Sequence, residues 1–151
     1  MKIVKVEGRY ICVSVRIPVT DQPREVGVLL VTIETDTGLR GIGIAREHDK
    51  HCRIVRGVLE HTLAPFIAGM DPLCPDRLWN EAAWTLSRGD FRVPFGAVSR
   101  AISAVDQALW DIRGQHLGQP VYRLLGGAHA GEIDVYMTFG LDSYTPEEEA
   151  E

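Results

Sequence analysis

Residues 97–115 constrain the fold more than any other segment. Val98, Ala101, Ile102, Val105, Ala108, Leu109 and Ile112 fall at i, i+3, i+4, i+7, i+10, i+11 and i+14. At about 100° per residue they fill one stripe about 120° wide. The segment therefore reads as a helix buried along one whole face. Gly114 and Gly118 loosen its end, and Pro120 to Leu125 adds a helical turn closed by Gly126 and Gly127.

The partner layer is legible upstream. Residues 2–17 are β-rich, with Val13, Val15 and Ile17 alternating against Ser14 and Arg16, and the run ends at Pro18. Residues 19–25 are polar and carry a second proline, which reads as a loop. Val26 to Thr35 is a second β run. Asp36-Thr37-Gly38 is a turn, and Leu39 to Ala45 makes a third strand, so the second and third strands form an antiparallel hairpin. The simplest whole is a three-stranded antiparallel meander followed by a helical bundle, in the α+β class.

From Lys50 the period becomes helical, with Ile54, Val55, Val58, Leu59, Leu63 and Phe66 apolar and Pro65 expected to end the helix. Asp76 reads as the N-cap of a further helix through Trp79, Ala83 and Leu86. Near the C-terminus, Ile133 to Phe139 is a compact β run. Thr145 and Glu148 then form a capping box with Pro146 at the first helical position. A lone strand and a helix of six or seven residues do not stand alone. The last 20 residues therefore read as the first strand–helix unit of a second, missing domain, the alternative being a frayed tail. The division expected is 1–127 for the first domain and 128–151 for the truncated second.

Charge and composition exclude several function classes. Lys plus Arg is 16 and Asp plus Glu is 21, a net charge of −5 over 151 residues. That balance opposes non-specific nucleic-acid binding, and no apolar run approaches the ~20 residues of a membrane span. The N-terminus meets a charge at Lys2 before any signal-type apolar stretch. Cys12, Cys52 and Cys74 are odd in number and far apart, which points to free thiols and a cytoplasmic setting.

Motifs for chemistry are scarce. A dinucleotide fingerprint starting at Gly41 would need glycine at position 46, where Arg46 stands, and Gly38, Gly41 and Gly43 lie within a hairpin. His48, His51 and Cys52 have i, i+3, i+4 spacing suited to a metal, although helix-start residues partly buried for packing are the commoner outcome. Asp106 and Asp111 sit about 140° apart on the helix and cannot share one metal. Asp106, beside Trp110 and Arg113, is expected to have a structural partner.

The segment Ala101-Ile-Ser-Ala-Val-Asp106-Gln-Ala-Leu-Trp110-Asp111-Ile-Arg-Gly114, continuing through Gly118-Gln-Pro120-Val-Tyr122-Arg-Leu-Leu125-Gly126-Gly127, resembles the N-terminal capping domain of the enolase superfamily. The likeness is narrower still, to the mandelate racemase and muconate-lactonizing enzyme group. Leu63-Ala-Pro65-Phe-Ile-Ala-Gly69-Met-Asp71-Pro72 fits the same pattern, as does the meander. The resemblance implies that residues 133–140 are the first strand of a (β/α)7β barrel and Thr145 onward its first helix.

It also implies an activity for the complete enzyme. Such enzymes remove the proton α to a carboxylate and stabilise the enediolate on Mg2+, because a carbon acid is too weak unless a divalent ion absorbs the developing charge. The base and the metal ligands come from later barrel strands, so the resemblance places no catalytic residue and no metal ligand in this chain. It implies a small carboxylate substrate, the barrel domain as partner, a homo-oligomer, and no nucleic acid or membrane. An acid-sugar dehydratase is the favoured class, with racemase, epimerase and cycloisomerase open. A standalone interaction module and a metal protein built on His48, His51 and Cys52 are the rivals from other classes.

In the group, two cap loops close over the barrel mouth, exclude water and contact the distal part of the substrate. The matching segments are residues 18–26 and 45–51. They nominate Thr20, Arg24, Arg46 and His48 as substrate contacts, with Thr138, and more weakly Phe139, at the mouth-facing end of the first barrel strand.

Overall fold

The computed structural model describes residues 1–16, 23–47, 49–88, 95–127, 131–132 and 134–135. Three strands, β1 (Ile3–Arg16), β2 (Pro23–Thr35) and β3 (Arg40–Glu47), form one sheet in the order β1-β2-β3. Both pairings are antiparallel, with Gly8 opposite Val31 and Leu30 opposite Ile44. The expected meander is therefore present. Its hairpin closes at Gly38, whose φ of 84° suits glycine, and Gly38 N donates to Thr35 O at 3.0 Å.

The strands run further toward the first connection than the sequence suggests. Pro23 and Arg24, expected in a loop, belong to β2, where they pair with Arg16 and Val15. Proline is acceptable there because it is the first residue of the strand. Arg46 and Glu47 likewise extend β3, pairing with Val28 and Gly27.

After β3 comes α1 (Asp49–Val58), which passes through a π-helical turn over Leu59–Leu63 into α2 (Ala64–Ile67). Pro65 does not end this helix. It occupies the start of α2, and the wider turn just before it accommodates a residue that lacks an N–H and would crowd the carbonyl four residues back. The core face of α1 carries Cys52, Val55 and Val58, while Ile54 is 49% exposed. Helix α3 (Pro75–Arg88) starts with proline at its first position, so Asp76 lies in the first turn and is not the N-cap. Among its described side chains Pro75, Leu78 and Ala82 are buried, whereas Trp79 faces outward.

Helix α4 (Phe95–Leu117) has 23 residues and lies along the inner face of the sheet. Val98, Ala101, Ile102, Val105, Ala108, Leu109 and Ile112 are all buried, as the stripe requires. They meet Leu29, Val31 and Ile33 from β2 and Leu59, Leu63 and Ile67 from the helical rod in one core cluster. The short α5 (Val121–Leu124) follows, with Pro120 as its N-cap.

The approach of α4 to β3 explains two glycines. A Cβ on Gly41 would lie 2.0 Å from Ala108 O, and one on Gly43 would lie 1.8 Å from Ala104 O. Neither position has room for a side chain. Their role is helix–sheet packing, not phosphate binding.

The expected strand at 133–139 falls outside the described residues except for Asp134 and Val135, which carry no regular structure. The expected helix from Thr145 is also outside them.

Candidate functional site

The β2–β3 end of the sheet carries the part of the nominated site that can be described. Arg46 is exposed near the end of β3, opposite Val28. Arg24 lies four residues back along β2, about 13 Å from Val28 at the strand rise, paired with Val15. Thr20, His48, Thr138 and Phe139 lie outside the described residues. So the structure puts Arg24 and Arg46 on neighbouring strands, and both belong to strands and not to loops.

The placement of Arg46 depends on α4. Its carbonyl accepts a hydrogen bond of 3.0 Å from Arg100 Nη1. Three further α4 residues reach the same strand edge. Gln107 Nε2 donates to Ile44 O at 3.1 Å while Gln107 Oε1 accepts from Ile44 N at 3.2 Å. Asp111 Oδ2 accepts from Ile42 N at 2.9 Å, and Gln115 Nε2 donates to Arg40 O at 2.8 Å. A helix advances about 6 Å in four residues and a strand about 6.7 Å in two, so Gln107, Asp111 and Gln115 meet alternate β3 residues in step. The longer reach of Arg100 completes the row at Arg46.

This row was missed by a search for catalytic groups. Its signal in the sequence is the i, i+4, i+8 recurrence of Gln107, Asp111 and Gln115 beside the apolar stripe. A sheet edge has unpaired N–H and C=O groups, and here side chains of α4 satisfy them.

The two helix carboxylates have separate surroundings. Asp111 is engaged by the backbone of β3. Burial pushes the Asp106 carboxyl above its ordinary value, and the nearby charge of Asp76 adds to this. Among the described residues no hydrogen bond or ion pair to Asp106 is found. The neighbouring Arg113 instead lies over the Trp110 ring, 5.0 Å from its centroid.

Among the described residues no group of three or more His, Cys, Asp or Glu side chains could hold a metal ion. Asp111 Oδ2 is taken up by the Ile42 amide, and neither Asp106 nor Asp111 belongs to such a group among the described residues. Cys52 of the His48–His51–Cys52 spacing is 2% exposed and part of the core. No helix among the described residues is long and apolar enough to cross a membrane.

The end of the domain away from this site is apolar on its surface. Leu117 is 50%, Tyr122 51% and Leu125 65% exposed.

Comparison with known proteins gives one consistent result. The profile of the mandelate racemase / muconate lactonizing enzyme N-terminal domain matches residues 8–126. A D-mannonate dehydratase from Novosphingobium aromaticivorans is 40% identical over 104 residues, covering 69% of this chain and 25% of that protein. A D-galactonate dehydratase from Verminephrobacter eiseniae is 39% identical over 114 residues, covering 76% of this chain and 28% of that protein. In structure, the 3,6-anhydro-D-galactonate cycloisomerase from Zobellia galactanivorans superposes with a TM-score of 0.68 at 30% identity, covering 85% of this chain and 33% of that one. The chain thus spans a quarter to a third of the length of these relatives.

Proposed function

Because the chain belongs to the mandelate racemase / muconate lactonizing enzyme family through its N-terminal domain, we propose that it is the cap of an acid-sugar dehydratase. The observation that carries this reading is the 39–40% identity to D-mannonate and D-galactonate dehydratases across the capping segment. Residues 1–127 form the cap, and 128–151 form the linker, first strand and start of the first helix of the barrel. The complete enzyme uses Mg2+, held by residues of the barrel and not by this chain. Its reaction removes the proton α to the carboxylate and expels the neighbouring hydroxyl as water, leaving a 2-keto-3-deoxy acid after tautomerisation.

In this reading the cap supplies substrate choice. Arg24 and Arg46 are cations near the mouth-facing end of the sheet, suited to the polar groups of a sugar acid. Thr20, His48 and Thr138 complete the set, and closure of their segments excludes water from the reacting centre. The exposed Leu117, Tyr122 and Leu125 support a neighbouring domain against this end, since side chains of this kind are covered when domains dock. The working enzyme is a cytoplasmic homo-oligomer.

Two measurements test the reading. An immunoblot of source cells gives a band near 40 kDa, the size of a cap plus a barrel of roughly 200 or more further residues. A band near 16.8 kDa shows that the short chain is the cell's product and removes the enzymatic assignment. The isolated chain shows no Mg2+-dependent dehydration of D-mannonate or D-galactonate. Turnover without another chain overturns the division of labour between cap and barrel.

A further inference from the structure

The side-chain row between α4 and β3 ends at the strand position that carries a proposed substrate contact. We propose that Arg100 is a positioning residue for Arg46: its hydrogen bond anchors the end of β3 that leads into the cap's closing segment. This inference rests on the functional reading above for its consequence, but not for its test.

Three facts support the assignment. The bond joins Arg100 Nη1 to Arg46 O at 3.0 Å, so it holds backbone and not the Arg46 side chain. The Arg46 side chain thus stays available for a ligand. Next, the anchor lies outside the strand pairing proper, because Arg46 opposes Val28 of β2 while its carbonyl accepts from the helix on the other side. Last, Gln107 and Asp111 fix α4 against Ile44 and Ile42, and Gly43 allows the close approach. Arg100 therefore projects from an element already held in register. A guanidinium suits the span, since the helix has advanced about 10 Å over the seven residues from Arg100 to Gln107 while the strand advances about 7 Å.

The consequence is a division within the row. Gln107, Asp111 and Gln115 hold β3 to the core. Arg100 holds the exit of β3, so its loss frees that exit while Gln107, Asp111 and Gln115 keep the rest of the strand on the core.

Hydrogen exchange in this chain tests the proposal. In Arg100→Ala, amides in a peptide spanning residues 44–52 exchange about 3–10-fold faster, as loss of one hydrogen bond implies. The urea midpoint and exchange in peptides from residues 26–35 stay at wild-type values. Arg100→Lys, which keeps a cationic donor, restores part of the protection at 44–52. Gln107→Ala lowers the urea midpoint and raises exchange along all of β3. Unchanged exchange at 44–52 in Arg100→Ala, or a uniform rise across the sheet with a lowered midpoint, overturns the positioning role. Neither outcome touches the dehydratase reading, which fails only on the size and turnover measurements.

Discussion

Replacing Gly43 by alanine should be among the most damaging single-methyl changes in this domain. The added Cβ would fall 1.8 Å from Ala104 O, 2.9 Å from Ala104 C and 3.1 Å from Ala108 N, all backbone atoms of α4. Side-chain rotation cannot relieve such a clash, so the helix must retreat by at least about 1.2 Å to reach a tolerable contact. Gln107 and Asp111 hold Ile44 and Ile42 through bonds of 3.1, 3.2 and 2.9 Å, and the same retreat breaks them. Overpacking alone costs about 1–3 kcal/mol. Two neutral hydrogen bonds and one to a carboxylate add roughly 1 kcal/mol each once water replaces part of them. The total is about 4–6 kcal/mol, a large share of the 5–15 kcal/mol that holds an ordinary domain. With a urea slope of about 2 kcal/mol per molar, the midpoint falls by about 2–3 M. Gly57→Ala is the control. Gly57 is helical with nothing within 4 Å of an added Cβ, so this change stabilises by about 0.5–1 kcal/mol. A Gly43→Ala midpoint within about 0.5 M of wild type, at equal slope, refutes the close approach of α4 to β3.

Two further outcomes follow from the titratable groups and thiols. Asp106 binds its proton more tightly in the folded chain than in the unfolded one, because burial and Asp76 both disfavour its charge. Folding takes up a proton across the carboxylate range, so this group's contribution to stability falls as pH rises through it. Asp106→Asn removes the dependence, and its melting temperature relative to wild type should climb between about pH 3 and pH 7; a flat difference refutes the assignment. For the thiols, Cys12 and Cys74 are exposed and Cys52 is buried, so a disulfide reagent labels two in the native chain and the third only on unfolding. Desolvation and Glu25 push the Cys12 thiol up, so Cys12 labels more slowly than an ordinary exposed thiol at neutral pH.

The edges of the candidate site show where reading a sequence stops. Prolines and charges around Arg24 read as a loop, and the family resemblance puts Arg46 in a closing loop. Antiparallel pairing overrode that local signal, keeping Arg24 opposite Val15 and Arg46 opposite Val28. Trp79 and Ile54 followed the helical period but face outward, since a period identifies a stripe without choosing which flank meets the core. Asp111 was legible as standing apart from Asp106, yet its partner, an amide 69 residues away in sequence, was not.

What the chain's own order of residues determined was local and repetitive: the α4 stripe, the alternation of three strands and the Gly38 turn. The family resemblance was legible too, because it rests on the contiguous segments 101–114 and 118–127. What only the tertiary structure decided was which long-range groups meet. Gly41 and Gly43 are plain strand residues until a helix carbonyl lies where their Cβ atoms would be. Arg100, Gln107, Asp111 and Gln115 are ordinary polar helix residues until the edge of β3 presents unpaired backbone groups to them. Such pairings satisfy hydrogen bonds between segments distant in sequence: the i, i+4, i+8 recurrence marks the helix residues but not the strand groups they meet.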